Sequence, residues 1–141
     1  MSIDPPIEVR ISDRFENEVR QLGKRYRRIR IDIQPIINQL ESGELPGNQI
    51  PGMTYTLFKV RVKNSDAQKG KSGGYSIIYY LKTEAQILLV TLYSKSDKSD
   101  ITDDEVQEII TRAEAQFNLS EKSSAQRETF TLENTSESND K

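Results

Sequence analysis

The sequence has no histidine, no cysteine and no tryptophan among its 141 residues. The first two absences exclude whole classes of chemistry: a Ser-His-Asp triad, a thiol nucleophile, a disulfide, a zinc finger and a two-histidine metal motif. Any catalysis has to come from Lys, Arg, Asp, Glu, Tyr, Ser or Thr. Long apolar runs are missing as well. The aliphatic stretch Ile87 to Val90 is far short of the roughly 20 residues that cross a bilayer. The start, Met1-Ser2-Ile3-Asp4-Pro5, carries neither the basic nor the apolar segment of a secretory signal, so the expected location is the cytoplasm, with no membrane partner. A chain of this length is expected to form one domain.

Net charge is also small, −2 from 20 basic and 22 acidic residues, yet the charges are segregated. Residues 118–141 hold Glu121, Glu128, Glu133, Glu137 and Asp140 against Lys122, Arg127 and Lys141, which is the whole of that −2. The other residues are balanced overall and clustered locally. Arg20, Lys24, Arg25, Arg27, Arg28 and Arg30 follow one another with no acid between them. From Lys59 to Lys98 the bases Lys59, Arg61, Lys63, Lys69, Lys71, Lys82, Lys95 and Lys98 face only Asp66, Glu84 and Asp97. Such clusters suit a polyanionic partner, which the total charge alone would have argued against.

Periodicity supplies the elements. Ile7, Val9 and Ile11 alternate with Glu8 and Arg10, the pattern of a short strand. Ser12 is placed as an N-cap, with Asp13 and Glu16 in the first turn, and Phe15, Val19 and Leu22 make one apolar stripe up to Gly23. A second helical stretch runs from about Tyr26 to Leu40, with Tyr26, Ile29, Ile33, Ile36, Ile37 and Leu40 on its buried side. Pro35 removes a backbone donor inside it and is expected to kink or divide the helix. After a loop marked by Gly43, Pro46, Gly47, Pro51 and Gly52 the period changes to two. Strands are read at Tyr55 to Lys63, Tyr75 to Lys82 and Gln86 to Lys95, the last two joined as a hairpin by Thr83-Glu84-Ala85. Thr102 and Glu105 form a capping box before a last helix with the stripe Val106, Ile109, Ile110, Ala113 and Phe117. Beyond it the Ser-, Glu- and Asn-rich residues cannot bury enough surface to offset their ordering entropy. The expected organisation is a single α+β domain over residues 1–117, with helices on one side of a small antiparallel sheet, followed by a disordered acidic tail at 118–141.

Phe58-Lys59-Val60-Arg61-Val62-Lys63 carries the clearest chemical signal. Alternation puts Lys59, Arg61 and Lys63 on one face, with neighbours roughly 7 Å apart. Like charges at that spacing repel unless an anion sits among them, and a phosphodiester suits an Arg fork flanked by Lys. The ordinary alternative is a solvated strand face whose lysines discourage edge pairing. Lys69-Gly70-Lys71-Ser72-Gly73-Gly74 adds cations beside glycine amides, but as a P-loop it fails: the first Walker glycine would fall at Ser65, and a strand follows where a helix is required. Asp97, Asp100, Asp103 and Asp104 read as charges at a helix start, not as a cation loop, since the EF-hand order is absent. Arg27 and Arg28 belong to a run that either meets nucleic acid or forms the wet side of a helix hairpin.

In this order of elements the chain resembles the RelE/ParE superfamily of toxin-antitoxin toxins, its HigB-like and RelE-like branch in particular. The resemblance rests on Leu45-Pro46-Gly47, on Phe58 to Lys63, on Lys69 to Tyr80, and on Tyr93-Ser94-Lys95-Ser96-Asp97-Lys98 ahead of a capped helix, and spans roughly Phe15 to Phe117. It implies a RelE-like fold, with an N-terminal strand and a helical hairpin packed on the sheet and a C-terminal helix. It also implies an antitoxin partner and a metal-independent endoribonuclease that cleaves mRNA on the ribosome by attack of the ribose 2′-hydroxyl on the adjacent phosphate, with no cofactor. Carried over by position, Lys59, Arg61, Lys71 and Lys95 would be catalytic, one lysine serving as base while the other cations hold the pentacoordinate phosphate. Lys63, Lys69, Lys98, Arg27 and Arg28 would bind RNA or the ribosome. Two positions depart from the pattern. Ser76 stands where the motif usually has an Arg on the scissile phosphate, and Thr102 where some members have a Tyr. One lost charged contact is worth about 2 to 4 kcal/mol of transition-state stabilisation, roughly 30-fold to 1,000-fold in rate. The resemblance therefore leaves open a decayed toxin that only binds its antitoxin, and a ParE-like inhibitor of gyrase.

Overall fold

The computed structural model describes residues 7–66, 74–94 and 101–117. Strand β1 (Glu8–Ile11) leads into helix α1 (Asp13–Gly23), and α2 (Ile29–Glu41) follows. The two-residue strand β2 (Asn48–Gln49), β3 (Leu57–Val62), β4 (Tyr75–Thr83) and β5 (Gln86–Ser94) come next. A last helix, α3, covers residues 103–117. The sheet order is β1-β5-β4-β3-β2. Both pairings along β3, β4 and β5 are antiparallel, as expected. Strand β1 instead joins β5 in parallel, so the sheet is mixed.

Local chemistry explains the boundaries. Ser12 caps α1 by accepting from the Phe15 amide at 3.0 Å, while its own hydroxyl donates to the Val90 carbonyl at 2.7 Å. One side chain thus starts the helix and pins it to β5. Pro35 does not divide α2, which is continuous from Ile29 to Glu41. Proline's missing donor would have bonded the Ile31 carbonyl one turn back, on the exposed side of the helix where Ile31 is 62% exposed. Ahead of α3, the Glu105 amide donates to Thr102 Oγ1 at 3.2 Å and the Thr102 amide to the Glu105 carboxylate at 3.1 Å, closing the expected capping box. Asp103 accepts from Gln107 and Thr54, contacts that hold its carboxyl below the usual aspartate range.

Phe15 and Val19 of α1 and Ile29, Ile33 and Leu40 of α2 pack on one sheet face against Val60, Val62, Tyr75, Ile77, Tyr79, Ile87, Leu89 and Leu92. The opposite face is enclosed too. Leu57 and Ile78, which alternate away from that core, are 0% exposed, whereas the sequence reading had covered the sheet on one side only. Apolar residues alone do not reveal this, because a strand buried on both faces differs from a half-buried one by only a few residues.

Strand β1 stops at Ile11 opposite Leu89, and among the described residues no strand pairs with the rest of β5 on that side. Glu18 takes over: its carboxylate accepts from the Leu92 amide at 2.8 Å and from Thr91 Oγ1 at 2.8 Å. Replacing Glu18 with Ala should cost about 1 to 3 kcal/mol, the penalty for leaving a partly buried amide unpaired. Glu18→Gln should recover part of it, and urea denaturation of the two variants measures the difference.

Candidate nucleic-acid interface

Val60 and Val62 point into the helix-side core, so alternation sends Lys59 and Arg61 to the other face of β3. Register extends each across the sheet. Arg61 pairs with Ser76, which pairs with Tyr93; Lys59 pairs with Ile78, which pairs with Thr91. Adjacent strands are about 4.8 Å apart and Lys59 and Arg61 roughly 7 Å along theirs, so the two cations share one corner of the face. Arg61 is exposed and Lys59 half-buried, and Lys63 is exposed just past the end of the strand.

The loop before β3 sets the position of Lys59. Gly47 has φ +90°, and a Cβ built there would stand 2.3 Å from the Lys59 carbonyl oxygen. Only glycine permits both that backbone angle and that approach. The preceding Pro46 carbonyl accepts from the Tyr79 hydroxyl at 2.6 Å, and Tyr79 stacks on Phe58 with ring centroids 5.2 Å apart. Burial pushes the Tyr79 phenol up, keeping it a neutral donor. Leu45-Pro46-Gly47 is therefore fastened to both β3 and β4 next to the cations. The sequence marked this tripeptide as a turn, and the close backbone approach behind it became visible only in the fold.

At the far end of β3 the α1-α2 junction is tied down. The Arg28 amide donates to Asp66 at 2.7 Å, the Arg28 guanidinium to Ser65 at 3.0 Å, and the Ser65 amide to Asp32 at 2.9 Å. Arg28, expected to meet RNA, gives its Nε to this turn and is exposed, as is the neighbouring Arg27. Lys69, Lys71, Lys95 and Lys98 lie outside the described residues. What is described is where their segments attach: Val62, Tyr75 and Ser94 are in register, so the chain reaches Gly74 and leaves at Ser94 from the same sheet end, beside Arg61. Among the described residues no group of three or more acids is arranged to hold a metal ion, and no helix is long and apolar enough to cross a membrane.

The family model described as the RelE toxin of the RelE/RelB toxin-antitoxin system matches residues 32–130. Among solved structures, the E. coli toxin RelE, an arginine-to-alanine double mutant in the free state, is similar with a TM-score of 0.47 and 17% identity, covering 77% of this chain and 98% of that one. No curated protein matches the sequence.

Proposed function

Because the chain belongs to the RelE toxin family, we propose that it is the toxin of a toxin-antitoxin pair, that its partner is an antitoxin, and that it cleaves mRNA on the ribosome through the cations of β3. The observation that carries this reading is the placement of Lys59 and Arg61 on one face of β3, at the sheet end where the segments bearing Lys71 and Lys95 attach. Arg61 offers a planar fork to two phosphate oxygens and Lys59 a point charge. The 2′-oxygen attacks phosphorus while one lysine of the set takes its proton, and the bond to the 5′-oxygen breaks as a second, protonated lysine gives that oxygen a proton, leaving a 2′,3′-cyclic phosphate and a 5′-hydroxyl. Crowded cations favour this step because charge builds on the pentacoordinate phosphate.

One observation favours a second reading. Ser76, directly opposite Arg61, is 3% exposed and short, so it brings no charge to a phosphate there. A protein weakened in this way would retain antitoxin binding while cutting slowly or not at all. Inducing the gene without its antitoxin separates the readings: growth arrest with mRNA 5′ ends inside translated codons supports the ribonuclease. Arrest with intact mRNA and damaged DNA would indicate gyrase, and no arrest would leave the binding module.

A further inference from the structure

We infer that Tyr93 is a further substrate-contacting residue of this site, its phenol hydroxyl donating a hydrogen bond to the phosphate held by Arg61; the inference rests on the ribonuclease reading. Tyr93 is 6% exposed, and its hydroxyl oxygen is buried with no hydrogen-bond partner among the described residues. Buried tyrosine hydroxyls are almost always paired, since leaving one unpaired forfeits its hydration for nothing. The same fold shows the usual solution at Tyr79, whose buried hydroxyl donates to Pro46. A hydroxyl kept without a partner at a structural cost marks a group retained for another purpose.

Its location indicates that purpose. Leu92 faces the helix-side core, so Tyr93 faces the other way, onto the face of Lys59 and Arg61. Register places it in line with Ser76 and Arg61, two strand spacings or about 10 Å from Arg61. Ser76 between them is small and itself 3% exposed, so a phosphate held by Arg61 comes within reach of the phenol only once it displaces what covers Ser76. The second unpaired phenol, Tyr75, does not share this position: it packs in the core beneath the helices, against Tyr26. In this role Tyr93 transfers no proton. It supplies a directed donor where Ser76 supplies no charge, and phosphate binding has to uncover it.

The test is Tyr93→Phe, which deletes one oxygen and keeps the ring. Cleavage of mRNA on programmed ribosomes is compared for wild type, Tyr93→Phe and Arg61→Ala, with thermal melting of all three. The expected result is a kcat lowered about tenfold or more in Tyr93→Phe with KM little changed. Its melting temperature should equal or exceed that of wild type, because the unpaired group is gone. A Tyr93→Phe protein that cuts as fast as wild type overturns the inference, as does one whose activity falls only in step with a lowered melting temperature. If the ribonuclease reading itself is wrong, wild type leaves the mRNA intact, and the inference falls with it.

Discussion

Arg61→Ala is expected to slow cleavage of ribosome-bound mRNA by about 100-fold to 1,000-fold while leaving the fold and antitoxin binding in place. The size follows from removing one preorganised donor from a developing phosphate charge. The selectivity follows from its position. Arg61 is exposed on a strand whose core contacts come from Val60 and Val62, and exposed substitutions of this kind change stability by about 0.5 kcal/mol or less. Single-turnover cleavage and a denaturation midpoint on the same preparation check both halves. Undiminished cleavage would remove Arg61 from the site, and a large loss of stability would make it a structural residue instead.

Gly47→Ala is expected to have the largest effect on stability, about 2 to 4 kcal/mol, lowering the melting temperature by roughly 10 °C. Two costs combine. A left-handed φ of +90° is strained for alanine, and its Cβ would collide with the Lys59 carbonyl. That oxygen is backbone inside a sheet and cannot move aside as a flexible side chain could, so β2 must separate from β3. Gly52→Ala isolates the first cost: φ there is +74°, but nothing lies within 4 Å of the added carbon, so the loss should be about 1 kcal/mol. The difference between the variants measures the close approach. Cleavage should fall further in Gly47→Ala than unfolding accounts for, since Lys59 is displaced with its carbonyl.

These two predictions mark how far the sequence could be read. Arg61 was legible because alternation along β3 is a local signal, and the caps at Ser12 and Thr102 were legible for the same reason. Gly47 could be recognised as a turn residue, but the carbonyl it nearly touches belongs to Lys59, twelve residues on. Strand β1 pairs with β5 across about eighty residues, and no periodicity announces a partner that distant or its parallel direction. Of the two effects expected of Pro35, a kink or a division, division does not occur, since α2 runs unbroken through it. Tyr93 stood out least of all. In the sequence it is one aromatic in an apolar strand; only register aligns it with Arg61, and only burial shows its hydroxyl unpaired. Lys69, Lys71, Lys95 and Lys98 lie outside the described residues.

The absence of histidine and cysteine, first an exclusion, is compatible with the proposed phosphate site of Lys59, Arg61 and Tyr93. The most direct test of that account is the chemistry of the cut ends. Purified protein is mixed with ribosomes stalled on a defined mRNA, and the fragments are analysed by mass. The account predicts a 2′,3′-cyclic phosphate on the upstream piece and a 5′-hydroxyl on the downstream piece, with no cut when the nucleotide before the break carries a 2′-deoxyribose. Intact mRNA, or fragments ending in a 3′-hydroxyl and a 5′-phosphate, would contradict it.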